Sequence, residues 1–277
     1  MKSVIIERMK LQTEGSLPDA HFIAYVLDTP GDLHIKKRPM VILCPGGGYE
    51  RTSFREGEPI AMYFLQKGYH VGILRYSTAP AKYPTALLEL GMAMGIVKGH
   101  SEEWKVDERQ IFVQGSSAGG HLAGCLGVFW NSTFLSKKLG IPSEKLRPAG
   151  LLLSYPVISS DENISHKGSF LNLLQDEYEE KKEMLSLERQ VTEYTVPCFI
   201  WHTFEDRTVP VQNSVRMAEA LHEKGIRTEL HLFQKGSHGL GSAGEESRRA
   251  DGSGVQEECQ CWMDLAYKWM ENICKDQ

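Results

Sequence analysis

Residues 111–130 read IFVQGSSAGGHLAGCLGVFW. The first four form an apolar, β-rich run, and the last ten carry a helical pattern. Between them Gly115, Ser117 and Gly119 stand in G-x-S-x-G register. A strand that passes directly into a helix leaves its junction residue on a strained turn that lifts the side chain above the sheet. Flanking glycines remove the Cβ clashes such a turn would make. Ser117 is therefore the candidate nucleophile, and the amide of Ala118, opening the helix, is presented to any anion beside it. The plainer alternative is a small-residue turn packed between strand and helix. Ser116 competes only if the register slips, and Gly115 and Gly119 argue against that.

The same alternation runs outward in both directions. Further β-rich runs lie at 40–44 (MVILC), 69–74 (YHVGIL), 150–154 (GLLLS), 198–202 (CFIWH) and 228–233 (TELHLF). Near-continuous apolar strands of this length belong to a sheet buried on both faces. Helical patterns at 59–67, 86–98, 118–130, 211–224 and 256–272 separate them. Strand–helix alternation predicts an α/β fold with a mostly parallel central sheet and helices on both faces. Two weaker strands, 4–9 and 21–27, are expected as an antiparallel hairpin at the sheet edge. Residues 157–196 break the rhythm, with no strand signal, a short apolar patch (Phe170, Leu171, Leu174) and a charge run at 177–183. This insertion follows the C-terminal end of a strand, where open α/β sheets place their sites. It reads as a small cap or, equally, as helical decoration, and its charge run as a solvated face. With no repeat and no linker, residues 1–277 are expected to form one domain.

Composition narrows the functional classes. The chain has 277 residues, 31 Lys and Arg against 36 Asp and Glu, and a net charge of −5. A mildly acidic balance argues against a nucleic-acid binder. No apolar run approaches the ~18 residues needed to span a bilayer, so no membrane partner is expected. Glu7 and Arg8 fall where a signal peptide needs its apolar core, which reads as a cytoplasmic location. Cys44, Cys125 and Cys198 lie in apolar runs, as small core residues do. Cys259 and Cys261 lack the second ligand pair that zinc requires, so no metal is expected.

Two more loops carry chemistry. After the strand at 40–44 comes Cys44-Pro45-Gly46-Gly47-Gly48-Tyr49, whose glycines leave backbone amides free to face a ligand. No G-K-[ST] follows, so it is not a phosphate-binding P-loop. A base and an orienting acid are wanted beside a nucleophilic serine. Post-strand loops supply candidates in Glu205, Asp206 and His238, the last flanked by Gly236 and Gly239. His202, still within a strand, reads as a packed histidine, and His121 lies one turn past Ser117.

Together these motifs resemble the α/β-hydrolase superfamily, and more closely its bacterial acetyl-esterase and acetylxylan-esterase-like members. The landmarks are PGGGY at 45–49, EGEP at 56–59, YP-x-AL at 83–87, GSSAGGHLA at 115–123, WHT-x-x-D-x-x-VP at 201–210 and ELH-x-F…G-x-HGLG at 229–241. The resemblance implies a serine carboxylic-ester hydrolase for short-chain esters, acetylated sugars among them. It implies Ser117, Asp206 and His238 as the triad and Gly47, Gly48 and Ala118 as oxyanion donors, with no cofactor. Pro45 stands where the superfamily usually has histidine. The expected partner is a small-molecule ester, and a homodimer is left open. The alternatives are a peptide or amide hydrolase using the same triad, and a non-catalytic binding homologue.

Overall fold

A computed structural model describes residues 4–275. Eight strands form one sheet: β1 Val4–Lys10, β2 His21–Leu27, β3 Arg38–Cys44, β4 His70–Arg75, β5 Val106–Ser116, β6 Gly150–Ser154, β7 Cys198–Thr203 and β8 Thr228–Phe233. Their spatial order is β1-β2-β4-β3-β5-β6-β7-β8. β1 and β2 form the expected antiparallel edge hairpin, and β3 to β8 run parallel.

The helices are α1 Glu58–Gln66, α2 Thr85–Gly99, α3 Ala118–Phe129, α4 Thr133–Leu139, α5 Ser143–Leu146, α6 Lys167–Leu174, α7 Tyr178–Lys181, α8 Gln212–Glu223 and α9 Trp262–Lys275. Alternation along the strands feeds two cores. Met40, Ile42 and Cys44 enter one with residues of α2, α3 and α8, while Val41 and Leu43 enter the other with residues of α1 and α9. α9 fits its place through a stripe of Trp262, Ala266, Trp269, Met270 and Ile273, all buried.

The larger departures from the sequence expectation are two boundaries and two added helices. β5 starts at Val106, not 111, because Asp107, Glu108 and Arg109 extend the strand past a register shift opposite Arg38 and Met40. α9 starts at Trp262, not 256, since Glu257–Cys259 forms a separate 3₁₀ turn. α4 and α5 were not expected. α4 is capped by Ser132, whose side chain accepts the Leu135 amide, and ends at Gly140 in the left-handed region.

Segment 157–196 holds α6 and α7 with short 3₁₀ turns and no strand. It is pinned to the body by Tyr83 N to Leu173 O at 2.9 Å and Asn172 Nδ2 to Gly48 O at 2.8 Å. Phe170 and Leu174 are buried, whereas Leu171 faces solvent. The charge run forms surface ion pairs such as Lys181–Glu177, and Lys182 lies over the ring of the buried Tyr178.

The parallel strands end level with one another. Cys44 pairs with Gly115, Ser116 with Ser154, Ser154 with Trp201 and Thr203 with Phe233. The chain leaves β3 towards β4 on one side and β5 towards β6 on the other. That reversal opens a crevice between the β3 and β5 loops, where α/β sheets bind ligands. None of the helices among the described residues is long and apolar enough to cross a membrane.

Candidate active site

Ser117 sits at the β5–α3 junction with φ 54° and ψ −120°. A non-glycine residue in that region carries strain of about 1–3 kcal/mol, held by its surroundings. Here Ser117 N donates to Ser154 O at 2.9 Å, while Ser117 O accepts the amides of His121 and Val157, both at 3.1 Å. The turn is tight enough that a Cβ on Gly119 would lie 1.9 Å from the Cys44 carbonyl oxygen. Only glycine lets the β3 loop approach this closely. Ser116 stays buried, with its hydroxyl accepting from Gln114 Nε2 at 3.0 Å.

The structure brings Ser117, His238 and Asp206 together. Ser117 Oγ lies 2.7 Å from His238 Nε2, and His238 Nδ1 lies 2.6 Å from Asp206 Oδ2. The Asp206 carboxylate accepts only, so Nδ1 carries the proton and Nε2 is free to take one from Ser117. Asp206 Oδ1 accepts the amides of Thr208 and Val209, both at 2.9 Å. Burial pushes the Asp206 carboxyl up, but the hydrogen bonds from His202 and His238, the charge of His238 and the Val209 amide outweigh it. The net direction is well below the ordinary carboxylate range. Glu205, the neighbouring acid, is exposed and accepts the Gly236 amide at 3.4 Å.

His202 Nε2 lies 3.2 Å from Asp206 Oδ2 and 3.0 Å from Val209 O, so it donates to both, while Nδ1 accepts from Ser214 Oγ at 2.7 Å. It braces the acid from behind. His121 lies 2.9 Å from both Tyr49 Oη and Leu185 O, through Nδ1 and Nε2 respectively. The Leu185 carbonyl can only accept, so Nε2 donates and Nδ1 accepts from the tyrosine. It joins the glycine loop to the segment that covers it.

The Gly46–Gly48 loop faces Ser117. Gly47 has φ +133°, a conformation that favours glycine. The amides of Gly47, Gly48 and Ala118 have no hydrogen-bond acceptor among the described residues. All three begin or flank loops beside Ser117, and Ala118 opens a twelve-residue helix whose dipole favours negative charge there. Gly47, Gly48, Ser117 and His238 line a cavity of about 290 Å³, and Ala118 follows Ser117 directly. Tyr49, His121, Val157, Ser169, Phe170 and Leu173 close on a second crevice with no room for a free water molecule, and the amides of His121 and Val157 tie it to Ser117 O.

Sequence reading missed four contributors. Glu56, buried, accepts the Gly46 amide through Oε2 at 2.8 Å and the Tyr155 hydroxyl through Oε1 at 2.7 Å. The Tyr155 hydroxyl in turn accepts the Gly241 amide at 2.8 Å, and its ring stands edge-on to His238 at 5.1 Å. One carboxylate thus ties the glycine loop to the histidine loop. EGEP was visible as a motif, but Tyr155 lies 99 positions further along the chain and Gly241, whose amide Tyr155 accepts, another 86 beyond it. Arg55 and Arg249 also line the cavity, donating to backbone carbonyls of the histidine loop. No group of three or more His, Cys, Asp or Glu side chains placed to hold a metal is found among the described residues.

The buried histidines give a pH dependence. Burial lowers both His70 and His121 from about 6.5 to about 4 in the fold. The unfolded chain therefore takes up these protons first as pH falls. Their neutral forms stabilise the fold fully above about pH 6.5, and that stability drains away as pH falls towards 4. The thermal midpoint is expected to drop steadily between pH 6.5 and 4.5. A flat midpoint across that window would show that these imidazoles are not held neutral.

Comparisons with known proteins converge on one group. The BD-FAE family model matches residues 30–221. The endo-1,4-β-xylanase B of Butyrivibrio fibrisolvens is 34% identical over 76% of this chain and 34% of its own length. The acetylxylan esterase of Xylanibacter ruminicola is 28% identical over 73% of this chain and 41% of its own length. This chain thus spans about a third to two fifths of the length of those curated relatives. The solved acetyl ester-xyloside bifunctional hydrolase of Caldicellulosiruptor lactoaceticus is 35% identical, with TM-score 0.77 over 92% of this chain and 88% of its own. By its matched residues, its parallel sheet and these relatives, the chain belongs to the BD-FAE family of the α/β-hydrolase superfamily.

Proposed function

We propose that the chain is a serine carboxylic-ester hydrolase acting on acetyl-type esters, acetylated sugars among them. The observation that carries this reading is the chain of contacts from Ser117 Oγ through the His238 imidazole to Asp206, at 2.7 and 2.6 Å. Ser117 Oγ attacks the ester carbonyl while His238 Nε2 takes its proton. The carbonyl oxygen gains charge and is met by the amides of Gly47, Gly48 and Ala118, each worth roughly 10²–10³ in rate. His238 then protonates the leaving alcohol, and an acyl-Ser117 remains. Water, deprotonated by His238, attacks that acyl group; the carboxylic acid leaves and Ser117 recovers its proton. Asp206 orients the imidazole and balances its charge throughout. The sugar ester as substrate is supported by the names of the relatives and by the polar wall of the cavity.

The filled apolar side sets the acyl length. Segment 157–196 contributes Phe170 and Val157 there, so a long acyl chain has no ready path. kcat/KM is expected to be highest for acetyl or propionyl esters and to fall at least about tenfold by octanoyl, since an unaccommodated methylene costs about 1–3 kcal/mol. The test is a panel of 4-nitrophenyl esters from acetate to laurate beside acetylated sugars and aminoacyl-anilides. A profile rising towards laurate would sink the short-chain reading, and faster anilide cleavage would favour an amidase.

A further inference from the structure

The charges around the cavity do not balance. Arg51, Arg55 and Arg249 line it together with Glu50 and Glu56. Arg51 is matched by Glu50 at 3.4 Å. The Glu56 carboxylate is engaged by the Gly46 amide and the Tyr155 hydroxyl. The nearby Asp251 carboxylate is engaged by the amide and hydroxyl of Ser253, at 2.9 and 2.7 Å.

Glu56 and Asp251 act on Arg55, and Arg249 on Asp251, only at longer range, so Arg55 and Arg249 keep donors that no carboxylate takes. Neither has a carboxylate within ion-pair distance among the described residues. They bracket successive carbonyls of the histidine loop: Arg249 Nη2 donates to His238 O at 2.5 Å and Arg55 Nη2 to Gly239 O at 2.8 Å. Arg55 Nε also donates to Ser247 O at 2.6 Å. Burial first, and the charge of Arg249 next, leave Arg55 holding its proton less tightly than an ordinary arginine. Carbonyls satisfy part of each guanidinium's hydrogen bonding without cancelling its charge. A guanidinium carries five N–H groups in a planar fork, so donors are left over for a ligand. Two such cations beside a reactive serine form an anion-recognising wall. Val157 and Phe170 lie outside the lining of this cavity, so the acyl group is assigned to them and the arginine-lined cavity to the alcohol.

We propose that Arg55 and Arg249 form a subsite for an anionic group on the alcohol portion of the ester, so that the preferred substrate is a short-chain acyl ester of a carboxylated or phosphorylated sugar. This rests on the ester-hydrolase reading. The test measures kcat/KM at low salt on acetylated glucose, acetylated glucuronic acid and acetylated glucose 6-phosphate, with 4-nitrophenyl acetate as a neutral reference. The wild type should favour at least one anionic sugar ester over the neutral one by at least about tenfold. Which one it is identifies the anion. Added salt should shrink the preference. In Arg55→Gln and Arg249→Gln the ratio of anionic to neutral kcat/KM should fall towards one. Because the ratio is taken within one preparation, damage to the His238 loop cancels from it. If a variant does not fold, the wild-type ratio and its salt dependence decide. A wild-type ratio near one, with 4-nitrophenyl acetate still cleaved, overturns the subsite alone. No cleavage of any ester overturns the reading beneath it as well.

Discussion

Ser117→Ala is expected to lower kcat on 4-nitrophenyl acetate by ~10⁴-fold or more while the protein still unfolds cooperatively. The substitution removes the hydroxyl at 2.7 Å from His238 Nε2 and leaves everything that shapes the turn. Alanine keeps the Cβ, so the strain at φ 54° is unchanged, as are the backbone hydrogen bonds to Ser154, His121 and Val157. Stability should therefore move by no more than about 1 kcal/mol, the net worth of one hydrogen bond. Catalysis without a nucleophile falls back on the free amides and on binding. A serine-reactive phosphonate should label the wild type at Ser117. Label on Ser116 is not expected, because that side chain is buried and its oxygen accepts from Gln114. Undiminished activity in the alanine variant, or label on Ser116, would end the assignment.

Local physics explains what could be read from the chain. Gly115, Ser117 and Gly119 sit within five positions, and the strand and helix flanking them are continuous in sequence, so strand, turn and candidate nucleophile were legible together. The parallel sheet was legible because its inner strands are apolar on both faces. β5 was cut short because Asp107, Glu108 and Arg109 look like a loop, although the strand continues there at its exposed end. α4 and α5 are too brief to show a period, and α4 rests on contacts such as Leu139 against Gly91 in α2 that no local pattern encodes. Residues 205 and 206 differ by one methylene, and only burial separates them. The Glu56 clamp and the two cavity arginines were invisible for a related reason. Their meaning lies in partners far along the chain, and an isolated glutamate or arginine carries no such signal.

Asp206→Asn is expected to lower kcat by ~10²–10⁴-fold, and Glu205→Gln by less than about tenfold. Both oxygens of Asp206 are engaged. Oδ1 holds the Thr208 and Val209 amides at 2.9 Å, while Oδ2 receives His238 at 2.6 Å and His202 at 3.2 Å. Every partner is a donor, so an asparagine cannot satisfy them in either orientation. With its oxygen towards the amides, its NH₂ confronts His238 Nδ1–H. The imidazole then has to move its proton to Nε2, where it can no longer accept from Ser117. Turned the other way, the NH₂ confronts two backbone N–H groups and the loop has to shift. Glu205 makes one long contact from an exposed position, and its loss leaves the imidazole untouched. The same pair separates in stability. The folded pKa of Asp206 lies below the unfolded value of about 3.9, so its charge stabilises the fold above about pH 4 and ceases to do so as pH falls through the folded value. Asp206→Asn should therefore unfold at lower urea than the wild type at pH 7, with the gap narrowing towards pH 3. Steady-state rates on 4-nitrophenyl acetate and urea midpoints at both pH values check this. A larger loss in Glu205→Gln than in Asp206→Asn would move the acid to Glu205.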